Sequence, residues 1–303
     1  MILGENVNME IIRAKTAGFC FGVKRAVDMV YENIRNCAAD QAIYTFGPII
    51  HNETVIKELS DKGVKILDFN EGGFFCDNRQ LSEDDLKGAT IIIRSHGIEK
   101  KIFEKLERTG ARIEDATCPF VKKIHRIVSD ESRAGKRIVI IGDERDPEVQ
   151  GIMSYCEGTP EVLDTVEKAQ EITFESTDKV CVVSQTTFNY NKFQLLVEIL
   201  TKKAYDISCV NTICHATSER QQEALQIAAQ VDCMIVIGGT HSSNSRKLYE
   251  ICRNECVNTY FCQTPDDLYL DLPESVRSVG ITAGASTPKN IIEEVQNHVR
   301  TIF

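Results

Sequence analysis

The chain has 303 residues, is 42% hydrophobic and carries a net charge of −10. That length exceeds the usual single core and fits two or three domains that fold without covalent staples. The acidic balance, with no basic stripe, argues against a nucleic-acid partner, whose phosphates demand cationic contacts.

The opening Met1-Ile-Leu-Gly-Glu-Asn-Val-Asn8 lacks a basic leader ahead of an apolar core, and no apolar run reaches membrane-spanning length. The expected location is therefore cytoplasmic, without membrane association. The chain stops soon after its last repeat of strand and helix, so no appended nucleic-acid module is expected. Twelve cysteines in such a chain suggest metal or redox chemistry, because a reducing compartment does not sustain a disulfide framework.

In chain order, short apolar runs alternate with helical patterns, the grammar of parallel α/β layers. Ile11–Lys15 reads as a strand. After Cys20, the spacing of Val23, Ala26, Val27, Val30 and Ile34 makes a helical stripe. Ala42–Phe46 is a strand ending in Gly47-Pro48, with His51 and a helix through Leu59 behind it. Val64–Leu67 follows, and Glu71–Asp85, with its glycines and acids, reads as loop. Ala89–Ile93 leads into Arg94-Ser-His-Gly97. A second lobe repeats the pattern: a helix to about Arg133, the strand Arg137–Gly142, and Lys179–Val183 delivering Ser184-Gln-Thr-Thr187. In a third lobe, Cys233–Gly239 delivers Thr240–Ser245, and Ser278–Thr282 delivers Ala283–Pro288. The predicted lobes are 9–112, 113–205 and 206–298.

Three cysteines stand in the same strand-to-helix joint, one per lobe: Cys20, Cys118 and Cys214, separated by 98 and 96 residues. A helix start stabilises a thiolate through its exposed N–H groups and dipole. Soft thiolates select iron-sulfur clusters, zinc or copper(I). Three ligands are one short of a closed site, which leaves a coordination position for substrate. Other polar residues also fall just after strands, where ligands bind in open α/β sheets. Cys20, His51, His96, Cys118, Glu148, Thr186, Cys214, Ser242 and Ser286 are thus candidates for one cavity, and helix starts rich in Ser, Thr, Asn and Gly suit a small phosphate or diphosphate.

Nine segments carry a family resemblance: Gly18-Phe-Cys-Phe-Gly-Val23, Ile50-His-Asn52, Ser95-His-Gly97, Asp115-Ala-Thr-Cys-Pro119, Pro147-Glu-Val-Gln-Gly151, Gln185-Thr-Thr187, Ile213-Cys-His-Ala-Thr217, Ser242-Ser-Asn-Ser245 and Thr282-Ala-Gly-Ala-Ser286. In this order and spacing, from about Ile11 to His298, the chain resembles the 4-hydroxy-3-methylbut-2-enyl diphosphate reductase (IspH/LytB) family, which ends the methylerythritol phosphate route to isoprenoids. The resemblance implies a three-lobed α/β trefoil around a 4Fe-4S cluster held by Cys20, Cys118 and Cys214, with one iron left for the substrate oxygen. It implies an oxidoreductase that removes an allylic hydroxyl to give isopentenyl and dimethylallyl diphosphate. Glu148 matches the family's proton donor and Thr186 its relay. His51, His96, Thr187, Ser242, Ser243, Asn244 and Ser286 match the diphosphate shell. The electron donor implied is ferredoxin or flavodoxin.

One position departs from that pattern. Gly142-Asp-Glu-Arg-Asp-Pro-Glu-Val149 places Asp146 where the family carries a diphosphate-binding histidine. A carboxylate touching a diphosphate oxygen costs on the order of 4 kcal/mol at an intermediate dielectric, and about 1 in water. Either Asp146 turns away and Arg145 or another donor compensates, or the chain is a paralogue with a different substrate. A non-enzymatic iron-sulfur sensor or electron carrier would need the thiolates but neither Glu148 nor Thr186; a zinc hydrolase would favour His or carboxylate ligands. Cys37, Cys156, Cys181, Cys209 and Cys233 read as small hydrophobes. Cys252, Cys256 and Cys262 lack the compact spacing of a metal site, and Cys76 is either a reactive thiol or inert. His125, His215, His241 and His298 read as structural.

Overall fold

Runs such as Thr90–Ile93 and Cys233–Ile237 are buried at every residue, as expected of parallel strands covered on both faces. The computed structural model describes residues 9–38, 41–270 and 275–302. Over them the chain runs β1 (Glu10–Arg13), α1 (Phe21–Asn36), β2 (Ile43–Phe46), α2 (Glu53–Asp61), β3 (Lys65–Asn70), β4 (Gly73–Cys76), β5 (Arg79–Leu81), α3 (Glu83–Leu86), β6 (Thr90–Ile93), α4 (Lys100–Arg108), β7 (Arg112–Asp115) and α5 (Pro119–Arg133). It continues with β8 (Arg137–Ile141), α6 (Pro147–Ser154), β9 (Glu161–Leu163), α7 (Val166–Glu171), β10 (Lys179–Ser184), α8 (Tyr190–Thr201) and β11 (Asp206–Cys209). Then come α9 (His215–Ala228), β12 (Cys233–Ile237), α10 (Ser243–Glu255), β13 (Thr259–Cys262), β14 (Ser278–Ala283) and α11 (Lys289–Ile302). Among the described residues no helix is long and apolar enough to cross a membrane.

The chain divides into two units, Phe21–Cys214 and the segment up to Cys20 together with that from His215 onward. The first unit holds two sheets, ordered β5-β4-β3-β2-β6-β7 and β11-β10-β8-β9; the second holds β1-β14-β12-β13. All neighbours are parallel except β3-β4 and β4-β5. The predicted α/β class, mostly parallel sheets with flanking helices, is what the chain adopts.

Strand alternation builds the cores. In β12, Cys233, Ile235 and Ile237 pack with Ile291, Ile292, Val295 and Val299 of α11, while Met234 and Val236 face Ala224, Leu248 and Cys252 of α9 and α10. In β10, Val180 and Val182 face Phe193 and Leu196 of α8, while Cys181 and Val183 face Ile124 and Val128 of α5 and Ile152 of α6. Each fully buried aliphatic side chain contributes about 2 kcal/mol relative to exposure, so two-sided burial fixes these strands and with them the loops at their carboxyl ends.

Two features differ from the sequence reading. Each predicted lobe opens with the strand ahead of a cysteine, yet hydrogen bonding puts those strands in other sheets: β7 pairs with β6, β11 with β10, and β1 with β14. Glu71–Asp85, read as loop, instead contains β4, β5 and α3. Asp77 and Asn78 both have positive φ, 49° and 62°, and close the two-residue hairpin in which Cys76 faces Arg79. Ser82 then caps α3 in a capping box with Asp85. The acids that suggested loop are turn and cap residues.

The turn is testable. Asn78→Val forces a β-branched residue into the left-handed region and is expected to cost about 1–2 kcal/mol, read as a lower thermal midpoint, whereas Asn78→Gly should leave it unchanged. Equal melting of the valine variant would contradict the turn.

Candidate active site

Each cysteine of the three joints follows an edge strand and precedes a helix, and each is held in the same way. Cys20 N donates to Ala285 O (3.3 Å), Cys118 N to Ser95 O (2.9 Å) and Cys214 N to Thr186 O (3.0 Å). Every acceptor lies in the loop leaving the parallel neighbour, β14, β6 or β10. All three cysteines are half-buried. The turns before Cys118 and Cys214 are alike: Asp115 Oδ1 accepts from Thr117 N (2.9 Å) and Asn211 Oδ1 from Ile213 N (3.1 Å), the two-residue side-chain mimic of a backbone turn.

Cys118 is the N-cap residue of α5, with Pro119 starting the helix, and its side chain makes no capping bond. Gly22 backs onto that side chain: a Cβ at residue 22 would stand 2.6 Å from Cys118 Sγ, so a side chain there would displace the sulfur.

The other cysteines separate clearly. Cys181 and Cys233 are buried, as expected of small hydrophobes, and so are Cys252, Cys256 and Cys262. Burial pushes the Cys233, Cys252 and Cys262 thiols up to about 12, which leaves them protonated and inert. Cys76 is buried, and burial followed by the Asp77 charge raises its pKa, against a reactive thiol. Cys37 and Cys156 are half-buried and Cys209 is exposed. Among the described residues no three His, Cys, Asp or Glu side chains are grouped so as to hold a metal ion. Cys20, Cys118 and Cys214 each offer a half-buried thiol in the same kind of joint, a soft donor set of the type iron-sulfur clusters take.

Glu148, on the first turn of α6, is 1% exposed. Thr186 N donates to Glu148 Oε1 and Thr186 Oγ1 to Glu148 Oε2, both at 2.6 Å. The approach requires Gly142, where a Cβ would stand 2.8 Å from Val149 Cγ2. Burial, then the Asp146 charge, push the Glu148 carboxyl up to about 7 against the two Thr186 bonds. Thr186 therefore joins the carboxyl to Cys214 through its own backbone.

Asp146 caps α6, its Oδ1 accepting from Glu148 N at 2.9 Å. Arg145 does not compensate for it: that side chain is 92% exposed and lies against Asp143. A positive group whose charge interacts with Asp146 is Arg94, which stands directly after β6 and to which the sequence reading gave no role. Burial works against the Arg94 charge, and Asp146 is the first of three carboxylates that support it. Arg94 Nε also donates to Gly97 O at 3.1 Å, closing the loop that carries His96.

The His51 and His96 rings lie 4.7 Å apart. Burial, then the charges of His51 and Arg94, hold His96 well below the ordinary histidine range. Asn52, beside His51, is buried and caps α2 by accepting from Val55 N at 3.1 Å. Thr187 is half-buried next to Thr186. Within Phe21–Cys214, hydrogen bonds join Cys118 to Ser95, and Asp146 through Glu148 and Thr186 to Cys214, while Arg94 and Asp146 interact through their charges.

In the other unit, Ser242 caps α10, accepting from Ser245 N at 3.3 Å. Ser243 is half-buried, and Ser242, Asn244 and Ser286 are buried. Asn244 Nδ2 is buried without a hydrogen-bond partner among the described residues. An unsatisfied amide at a 13-residue helix's N-terminus suits an oxyanion, which would receive both the amide and the helix N–H groups. Ser286 follows Ala285, the acceptor of Cys20 N. Of the remaining histidines, His125 is buried and stacked on Tyr155 at 4.2 Å, and burial lowers its pKa to about 4, consistent with a structural role.

The raised Glu148 pKa has a sign that can be checked. Its folded value lies above its unfolded value near 4.5, so between them the unfolded chain releases the proton first and stability falls as pH rises, by on the order of 3 kcal/mol. Glu148→Gln should abolish that slope, its stability relative to the parent rising from pH 5 to pH 8. A pH-independent difference in denaturation midpoint would show that Glu148 is not held protonated.

A family model described as LytB protein matches residues 11–300. A 4-hydroxy-3-methylbut-2-enyl diphosphate reductase from Caldanaerobacter subterraneus is 44% identical, covering 97% of this chain and 98% of its own. Two solved structures are similar. One, titled as (E)-4-hydroxy-3-methyl-but-2-enyl diphosphate reductase, the terminal enzyme of the non-mevalonate pathway, has TM-score 0.66 and 38% identity, covering 97% of this chain and 99% of that one. The other, the E-1-hydroxy-2-methyl-but-2-enyl-4-diphosphate reductase from Plasmodium falciparum, has TM-score 0.86 and 28% identity, covering 97% and 88%. With the match running through both units and all nine motif segments, the chain belongs to the LytB family of 4-hydroxy-3-methylbut-2-enyl diphosphate reductases.

Proposed function

We propose that this chain is an oxidoreductase that reduces 4-hydroxy-3-methylbut-2-enyl diphosphate to isopentenyl and dimethylallyl diphosphate. The reaction adds two electrons and two protons, breaks the allylic C–O bond and releases the oxygen as water. Membership of the family along nearly the full length supports the activity. The observation that carries the residue assignments is the buried Glu148 carboxyl clasped by Thr186, whose carbonyl anchors Cys214.

The ligand set is Cys20, Cys118 and Cys214, three half-buried thiols in three equivalent joints. A 4Fe-4S cluster bound there would supply the electrons and a Lewis-acidic position for the hydroxyl. Glu148, poised near neutrality, gives a proton to the departing oxygen, and Thr186 Oγ1 holds the carboxyl for that transfer. His51, His96, Thr187, Ser242, Ser243, Asn244 and Ser286 bind the diphosphate, with Asn244 gaining a partner for its buried amide. A ferredoxin or flavodoxin supplies the electrons, and the enzyme works in the cytoplasm. A sensor or electron carrier would have no use for a buried protonated carboxyl. Asp146, engaged as a helix cap and balanced by Arg94, is compatible with the diphosphate substrate and leaves the paralogue reading without support from geometry.

The test is anaerobic turnover of 4-hydroxy-3-methylbut-2-enyl diphosphate with a reduced dye. The parent should turn over. Asp146→His should not exceed it, because the variant loses a helix cap worth about 1 kcal/mol and the counter-charge to Arg94. An inactive parent rescued by Asp146→His would establish the paralogue reading instead. Glu148→Gln should bind ligand yet lose at least about 100-fold in turnover; unchanged turnover would remove its role.

A further inference from the structure

Two arginines hold the turns that carry Cys118 and Cys20. Arg25, on the second turn of α1, gives Nη2 to Asp115 O and Nη1 to Thr117 O, both at 3.1 Å. The carboxylate of Asp115 completes the clasp from the other side, accepting from Thr117 N at 2.9 Å and pairing with Lys122 Nζ at 2.6 Å. Arg220, on α9 and 3% exposed, gives Nε to Thr16 O at 3.0 Å and Nη2 to Gly18 O at 2.7 Å. Glu223, one turn on, accepts from Lys15 N (2.8 Å), Thr16 N (2.8 Å) and Thr16 Oγ1 (2.6 Å).

The two clasps, one in each unit, have the same logic. A guanidinium takes alternate carbonyls of the turn and a carboxylate takes its N–H groups. The carbonyls lie one and three residues before Cys118, and two and four before Cys20. In sequence, each arginine follows a different cysteine from the one it serves: Arg25 stands five residues after Cys20, and Arg220 six after Cys214. Only arginine presents two donors in a rigid fork that spans alternate carbonyls; a lysine ammonium reaches one point.

We infer that Arg25 and Arg220 are positioning residues for a thiolate-bound cluster, Arg25 setting the Cys118 sulfur and Arg220 the Cys20 sulfur through the turns they grip. The inference rests on Cys20 and Cys118 being cluster ligands, and it gives those arginines a role that touches neither substrate nor metal. Partners one shell out from metal ligands are worth 10–100-fold in metal affinity.

Two measurements on the full chain test it. After anaerobic reconstitution with iron and sulfide, Arg25→Met and Arg220→Met should release iron to a chelator about tenfold or more faster than the parent, with Arg25→Lys and Arg220→Lys in between. In the metal-free chain, peptide mapping after brief alkylation should show Cys118 modified faster in Arg25→Met with Cys20 unchanged, and the reverse in Arg220→Met. A merely structural role would alter both cysteines together and lower the melting temperature. Parent-like iron release in the methionine variants, or alkylation that changes without regard to which arginine is missing, would overturn the inference. A parent chain that retains no iron would instead refute the cluster reading, while the paired alkylation pattern would still decide whether each arginine sets its own cysteine.

Discussion

The structure turns on one backbone hydrogen bond made three times, from the amide of a cysteine to a carbonyl just beyond the end of the adjacent parallel strand. Buried backbone groups must be paired, and here the pairing has a functional consequence. It ties the turn that presents a sulfur to the loop that presents a polar group: Ser286 beside Ala285, His96 beside Ser95, and Thr186 itself. Because the strand before each cysteine is an edge strand, it has only one neighbour, and its next amide can reach only that neighbour's loop. The three thiols and these polar groups are therefore positioned by the same ladders, and displacing one displaces the other.

That coupling explains how the site accommodates Asp146. An acid at the first capping position is favoured by the dipole and the free N–H groups of α6, so Asp146 has a local reason to stay at Glu148 N. Its charge acts in two directions, supporting the buried Arg94 guanidinium and raising the proton affinity of Glu148. Arg94 in turn lies in the loop whose Ser95 carbonyl holds Cys118. The substitution thus changes the charge at one position without opening the network around it.

Much of this was legible in the sequence because it depends on local pattern. The joints at Cys20, Cys118 and Cys214, the strand before each, and the polar clusters after the buried runs are written in apolar periodicity and turn residues. The roles proposed for Glu148 and Thr186 came from family resemblance alone, since an acid in a first helical turn is ordinary. What escaped depends on partners distant in sequence. Nothing near Glu10–Arg13 says that it pairs with Ser278–Ala283, because an edge strand's neighbour is a property of topology. Arg94 was hidden for a related reason: its significance is electrostatic and belongs to Asp146, 52 residues away. The β4–β5 hairpin was missed although Asp77-Asn78 is turn chemistry, because the surrounding acids and glycines outweighed two short strands.

The charge state of the site before ligand binding follows from these contacts and bears on how protons reach the substrate. His96 is held neutral by burial and by neighbouring positive charge, and Glu148 sits near half-protonation at neutral pH. On the proposed function, a diphosphate held by His51 and His96 would bring at least two negative charges beside them, and a negative charge raises the proton affinity of an imidazole and of a carboxyl alike. By linkage, anion binding then takes up protons. On that reading the protons go to His96 and to Glu148, the proposed proton donor. A carboxyl with an ordinary pKa would stay ionised under the same field, because the shift would have to begin several units lower. The burial of Glu148 and the Asp146 charge therefore raise its proton affinity before any ligand arrives, in the direction the proposed proton transfer needs.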